Sequence, residues 1–280
     1  MSCYILQSGL LFFHNISQET TGNPEHFPHT HESCELYFFV RGSCNYSVEN
    51  GVYETVPGTV IFTQPGEMHS VNISEPCLYE RYYIQIDPRI FEWLGYTSLL
   101  RCFYHRPHGQ NNSIVLPPED AERCFYLLSR IETLMTEDGP DAAALSFGIL
   151  IEMLHTVNLR ASDPSAYHAN RVRSPLVNEA MQYINDHLSQ VTSSAALAAR
   201  LYVSREYLSR QFSLYMGLTL NRYITLKRVS CAKRLLEQGH SLNDVCTACG
   251  WQDYSYFVAV FRREVGMTPM KYRSFKQSSL

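Results

Sequence analysis

Residues 241–273 read SLNDVCTACGWQDYSYFVAVFRREVGMTPMKYR, and their periodicity decides the architecture of the C-terminal part of the chain. Leu242, Val245 and Cys246 form the inward stripe of a short helix, and Cys249-Gly250 ends it. Asp253 stands where an N-cap belongs, because its carboxylate can accept from a backbone N–H in the next turn. Phe257, Val260, Phe261 and Val265 then share one helical face, while Tyr254, Ser255, Val258, Ala259 and Arg262 are left outside. Gly266 closes this helix and Pro269 follows. Two short helices, a tight turn and a polar outer face on the second make a helix-turn-helix.

The same unit recurs upstream. Ala195 to Leu201 is a short helix of small and apolar residues, Tyr202-Val203 turns, and Ser204 can cap the next helix. Leu208, Phe212 and Tyr215 face inward, Arg205, Glu206, Ser209, Arg210 and Ser213 face outward, and Met216-Gly217 ends the helix. Between the units, Leu220 to Gln238 is continuous and carries Arg222, Lys227, Arg228, Lys233 and Arg234. Two such helices on one rigid connector can enter successive major-groove segments, roughly 34 Å apart. Outward residues near their N-termini meet base edges, and surrounding cations hold phosphates.

Charge separates along the chain in the same sense. Residues 171–280 hold 15 Arg or Lys against 7 Asp or Glu, net +8, and include every lysine: Lys227, Lys233, Lys271 and Lys276. Residues 1–170 hold 8 against 20, net −12. The basic part is attracted to a polyanion; the acidic part is repelled by it and needs another role.

The run Lys227-Arg228-x-x-x-Ala232-x-x-Leu235-Leu236, then Ser241-Leu242-x-Asp244-Val245, Cys249-Gly250-Trp251-x-Asp253-x-Ser255-Tyr256-Phe257, Phe261-Arg262-Arg263, Gly266-x-Thr268-Pro269 and Tyr272-Arg273 closely resembles the signature of AraC/XylS-type transcription regulators. The resemblance covers about residues 175–275. It implies a DNA-binding regulator, an activator more than a repressor, often of carbohydrate pathways, with RNA polymerase as a further partner. By position it places base contacts on Arg205, Glu206, Ser209 and Arg210 in the first unit, and on Tyr254, Ser255 and Ala259 in the second. The family often has arginine where this chain has Ala259, so thymine methyls or close packing are expected there and at Val258, with Arg262 and Arg263 on phosphate.

The first half has a different period. Glu35 to Val40, Asn45 to Val48, Val52 to Val56, Thr59 to Thr63 and Leu78 to Ile86 read as short strands, with Asn50-Gly51 as a hairpin turn and Pro57-Gly58 and Pro65-Gly66 as breaks. Short strands at close spacing predict a barrel or sandwich over about residues 1–115. Helical spacing returns over about 119–160, first in Ala121, Cys124, Phe125, Leu128, Ile131 and Leu134, then in Leu145, Ile149, Met153 and Val157. The second stripe is broad enough to need cover from the barrel or from a second subunit, so a homodimer is expected. Residues 161–174 lose periodicity and read as a linker to the domain at 175–280. The fold expectation is thus α+β and multidomain: a β-barrel with two helices, then an all-α double helix-turn-helix domain.

Pro28-His29-Thr30-His31 with Glu35 and Gly42, and Pro65-Gly66 with His69, resemble the two cupin motifs, which implies that the N-terminal barrel is a cupin-like β-barrel. On a strand His29, His31 and Glu35 share parity, with His69 opposite. Three readings stay open. The cluster, with Tyr37 beside it, binds a small polar effector such as a sugar, as regulators of this family commonly do. Alternatively His29, His31, Glu35 and His69 hold a divalent metal, for which they form a complete shell; or they are satisfied structurally. Phe39, Tyr46, Phe62, Tyr83 and Gln85 are further candidate walls. No cofactor is required by the first reading. A cupin metalloenzyme is the remaining alternative, disfavoured because a catalyst has no use for two recognition helices, and no catalytic motif appears.

The nine cysteines do not pair into a secreted framework, and Cys246-x-x-Cys249 sits in a helical pattern and reads as packing. No leader pattern or apolar run approaching a membrane span is read, so a cytoplasmic protein without membrane contact is expected.

Overall fold

Residues alternate in character along β3 (Cys34–Arg41) and β8 (Cys77–Ile86), and pleating sorts them onto two faces that are both buried. The computed structural model describes residues 2–7, 9–21, 28–137, 139–167, 171–172, 174–191 and 193–278. It divides into two compact units whose main boundary falls between Arg171 and Val172.

In the first unit, β1 (Ser2–Gln7), β2 (Leu10–Glu19), β3, β6 (Thr59–Thr63), β8 and β9 (Ser113–Val115) form one sheet in the order β1-β2-β8-β3-β6-β9. The other sheet has the order β10-β5-β4-β7, from β4 (Cys44–Val48), β5 (Gly51–Glu54), β7 (His69–Ile73) and β10 (Arg171–Val172). Tyr37, Phe39, Ile61 and Tyr79 of the first sheet pack on Cys44, Tyr46, Val48, Tyr53 and Ile73 of the second, closing a small barrel. The opposite parity, Leu36, Phe38, Val60, Phe62, Tyr82, Ile84 and Ile86, turns outward beneath helices. These are α1 (Pro88–Trp93), α2 (Arg101–Tyr104), α3 (Pro118–Glu137) and α4 (Ala142–Ala161).

Cys124, Leu128 and Ile131 of α3 and Ile149, Met153 and Val157 of α4 are buried as their spacing requires, whereas Phe125 and Leu145 are exposed. By length and composition α4 could cross a membrane, which corrects the expectation that no apolar run is long enough. Its inner residues instead belong to the core, and its buried Asn158 accepts from Cys102 N at 2.8 Å and donates to Leu99 O at 2.7 Å.

One further reading needs correction. The hairpin pairs Val48 with Gly51, so its turn residues are Glu49 and Asn50, one earlier than expected. Glu49 takes φ +51° and is tied to Met68, whose N–H donates to its carboxylate at 3.0 Å. The stretch 161–174 is not bare: Pro164–Ala166 is a short 3-10 turn, Tyr167 bridges Ile114, and β10 follows. Its residues 168–170 and 173 lie outside the described residues.

In the second unit, α5 (Pro175–Asp186), α6 (Ser194–Arg200), α7 (Arg205–Met216), α8 (Leu220–Glu237), α9 (Leu242–Ala248), α10 (Tyr254–Val265) and α11 (Pro269–Ser278) follow one another. The central helix α8 packs against α7, α9, α10 and α11. Cys246 and Cys249 join Trp251, Phe257 and Phe261 in its core.

A buried ion pair fixes the loop that leads into β7. Arg106 donates from both terminal nitrogens to Glu67, at 2.8 and 2.6 Å, and neither side chain is more than 1% exposed. Gly109 N, Gln64 N and Asn112 Nδ2 also donate to this carboxylate. Burial alone would raise the Glu67 pKa; the guanidinium and these donors more than offset it and hold it at about 2. A carboxylate depressed in the folded state stabilises above its unfolded pKa, and that stability is lost as pH falls from about 4.5 to about 2. The stability at stake is about 3 kcal/mol. Chemical denaturation should therefore show Glu67→Gln weaker than wild type at pH 7 by about 3 kcal/mol or more. The difference should shrink between pH 5 and 2; a constant difference would mean that Glu67 does not titrate this way.

Candidate ligand cavity and nucleic-acid interface

The interior face of β8 presents Tyr79, Arg81, Tyr83 and Gln85, and that of β3 presents Glu35, Tyr37 and Phe39, because Glu35 pairs with Gln85 and Tyr37 with Tyr83. Between the sheets lies a cavity of about 150 Å³, lined by His29, Glu35, Tyr37, Tyr46, His69, Arg81 and Tyr83 among others. A volume on that order holds one six-membered ring.

At one end His29 and His69 pair as an isolated bridge, each N–H donating to the other's carbonyl at 3.0 and 2.9 Å, with ring centroids 4.4 Å apart. His69 Nδ1 lies 2.9 Å from Glu67 O, so a proton there turns Nε2 toward Glu35 Oε1, 3.9 Å away. The brace around Glu67 thereby sets this imidazole. Tyr46 donates to Glu35 at 3.0 Å. β3 begins only at Cys34, so no regular strand carries His29 and His31 in step with Glu35.

Farther along, Tyr37 and Tyr79 share a hydrogen bond of 2.8 Å. Burial, followed by neighbouring hydroxyl or carboxylate groups, pushes the Tyr37 and Tyr46 pKa values well up, so both stay neutral. Arg81 is 9% exposed and lies over the Tyr79 ring, 4.4 Å from its centroid. Its Nη1 has no hydrogen-bond partner. Stacking on an aromatic face gains about 2 kcal/mol, against several kcal/mol for taking an ion out of water.

Of the residues expected in the wall, Tyr37, Tyr46, Tyr83 and Gln85 are there. Phe39 lies deeper in the interior core, and Phe62 faces the helices because Leu36 is its partner and Ile61 takes the interior. Arg81 was missed, although its parity with Tyr83 and Gln85 in the predicted strand placed it on their face.

In the second unit, Ser204 accepts from Tyr207 N at 3.2 Å and Asp253 from Tyr256 N at 2.6 Å, so both expected caps form. On α7, Arg205, Glu206 and Arg210 are exposed and Ser209 is partly so; the Arg210 guanidinium lies over Tyr207, 5.8 Å from the ring centroid. On α10, Tyr254, Ser255, Ala259, Arg262 and Arg263 are exposed, and Val258 is half-buried against the core. Tyr256, quoted in the signature but not among the expected base contacts, is 60% exposed on the same first turn.

The basic residues of α8 are largely committed within the unit. Lys227 is buried over Tyr223, Arg228 donates to Val191 O at 2.6 Å, and Arg222 pairs with Glu264. Arg263 also pairs with Glu264, at 2.9 Å. Partial burial pushes the Glu264 carboxyl up, but Arg222 and Arg263 together bring it below its ordinary value.

Residues 18–152 match the AraC-like ligand binding domain family, and residues 197–274 match the Helix-turn-helix domain family. The chain belongs to the AraC family of transcription regulators. It is similar to the HTH-type transcriptional activator RhaR of Escherichia coli, 24% identical over 88% of this chain and 86% of that one. Among solved structures, the C-terminal domain of AraT from Geobacillus stearothermophilus is 31% identical over 36% of this chain and 86% of that one, with a TM-score of 0.36. ToxT from Vibrio cholerae O395 is 13% identical over 95% and 97%, with a TM-score of 0.37. This AraC-family chain is thus a DNA-binding regulator that carries a ligand-binding domain.

The turns of its two helix-turn-helix units are built alike but filled differently. Tyr202 has φ +57° and Gly250 φ +82°, and the residue after each donates back, Val203 to Ala198 and Trp251 to Cys246, both at 3.0 Å. A Cβ on Gly250 would meet Ser189 Cα at 2.8 Å and Leu188 O at 2.9 Å, whereas one on Gly217 would meet nothing within 4 Å. Gly250→Ala should cost about 2 kcal/mol or more, and Gly217→Ala about 1 kcal/mol. Equal shifts in urea titrations would show that the second turn is not sterically pinned.

Proposed function

We propose that this AraC-family regulator is controlled by a small polar molecule bound between the two sheets, and that it activates transcription. The cavity carries this reading: a ring-sized interior space lined by tyrosines, imidazoles and two charged groups, in the domain that matches a ligand-binding family. RhaR, named an activator, supports the direction of control. The regulator works in the cytoplasm, without catalysis, as a dimer; exposed Phe125, Tyr126, Leu145 and Leu159 on α3 and α4 suit a second copy. Double-stranded DNA and the effector are its first partners, and RNA polymerase its next. Effector binding shifts the population toward a DNA-binding arrangement that favours transcription.

On DNA, Arg205, Glu206, Ser209 and Arg210 face the bases from α7 behind the Ser204 cap. Tyr254, Ser255 and Ala259 do so from α10, joined by Tyr256. Arg262 holds phosphate, with Arg263 shared between phosphate and Glu264. Arg210→Ala should cost about 1–3 kcal/mol on the preferred site and relax sequence preference. Arg262→Ala should weaken every DNA alike and flatten the salt dependence. Binding titrations on matched and scrambled DNAs decide this; equal loss of specificity from both variants would end the division of labour.

The approach of His69 to Glu35 supports a second reading, a divalent metal in the cavity. The backbone contact at His69 Nδ1 suits it, since a metal-bound imidazole commonly donates its other N–H to a carbonyl. Elemental mass spectrometry on untagged protein purified without chelator separates the two. About one metal per chain, absent from His69→Ala, would establish the second reading; metal-free protein whose DNA footprint responds to a sugar would establish the first.

A further inference from the structure

Arg81 is the buried charge in the cavity that the protein leaves without a matching group. It is 9% exposed, its Nη1 meets no hydrogen-bond acceptor, and among the described residues no carboxylate forms an ion pair with it. Burial works against its charge, while Tyr79, Tyr37, Tyr83 and, after them, Glu19 support it and push its pKa up. The Tyr79 and Tyr83 rings, with centroids 4.4 and 5.9 Å from its guanidinium carbon, offset only part of the cost of burial. A guanidinium stays protonated under such conditions and presents a planar fork suited to a carboxylate.

The opposite end of the cavity has a different character. Glu35 pairs with Gln85, four residues along β8 from Arg81, which sets the two about 13 Å apart at the backbone. Tyr37, Tyr46 and Tyr83 line the space between them.

We propose that the effector is a monoanionic, hydroxylated carboxylic acid of about one ring's size, such as a uronic or aldonic acid, with its carboxylate on Arg81 and its hydroxyls toward the tyrosines, Glu35 and His69. This rests on the cavity being the effector site. A monoanion matches one guanidinium; a phosphate dianion would carry a second negative charge into a cavity that already holds Glu35.

The test is calorimetric titration of the full chain with matched compounds: D-glucose, D-galactose and L-arabinose against glucuronate, galacturonate and arabinonate, with glucose 6-phosphate as the phosphate arm. The expected result is tighter binding of an acid than of its neutral partner. Arg81→Met should weaken that acid about 10- to 100-fold, leave neutral sugars within about threefold, and raise the melting temperature of the ligand-free protein, because an unmatched buried charge has been removed. Arg81→Lys, which keeps the charge and loses the fork, should fall between. Preference for neutral sugars or for the phosphate, an undiminished acid affinity in Arg81→Met, or a sharp loss of its ligand-free stability would overturn the proposal. Binding by none of the compounds would count against the cavity as the effector site, and so against the reading beneath this one.

Discussion

The register of β8 between β2 and β3 is the constraint on which the first unit depends. Both faces of β8 are buried, so a slip of one residue would exchange Tyr79, Arg81, Tyr83 and Gln85 for Glu80, Tyr82, Ile84 and Ile86. Isoleucines would then line the cavity, and a guanidinium would lie under the helices. The outer set locks the register. Tyr82 and Ile84 pack in the helical core, and Glu80 is held by Arg41 and by His14, which also reaches Glu132 on α3. The polar interior is therefore imposed by an apolar exterior: the helices that cover the sheet decide what the cavity can recognise.

The charges inside this unit fall into two kinds. Glu67 and Arg106 satisfy each other, and further donors complete the carboxylate, so the pair is a cross-brace that positions His69 through a single backbone carbonyl. Glu35 takes a hydrogen bond from Tyr46, while the Arg81 Nη1 meets no acceptor. Burial is equally complete at Glu67 and near-complete at Arg81, so exposure does not separate structural from recognising charges. What separates them is whether the protein supplies the partner.

Legibility in the sequence followed the same physics. The second unit was readable almost residue by residue, because helical faces, caps and αL glycines are local: Leu208 and Phe212, Ser204 and Asp253, Gly217 and Gly266 all sit where spacing puts them. Five of the ten strands among the described residues were found for the same reason, β3, β4, β5, β6 and β8, but their faces were not always assigned. Phe62 was counted among the cavity walls, when parity with Leu36 sends it outward. The hairpin turn moved to Glu49-Asn50 because of a contact with Met68, a residue far along the chain that no local signal reveals. Arg81 was overlooked because its importance lies in having no partner, a property that exists only once the surroundings are known. The commitment of Lys227, Arg228 and Arg222 within the helical unit is tertiary in the same way.

The second turn has a mechanical consequence. Leu188 and Ser189, from the segment joining α5 to α6, press against Gly250, and Arg228 reaches Val191 in the same segment. The entrance to the first helix-turn-helix is thus clasped by the turn of the second, in addition to the connection through α8. Two readers fastened at two points behave as a fixed caliper. Inserting one base pair between their target steps would rotate one step by about 34° around the duplex axis, and both clasps would have to give for the readers to follow it. The spacing of the two helix-turn-helix units is therefore set in part by a glycine in a turn.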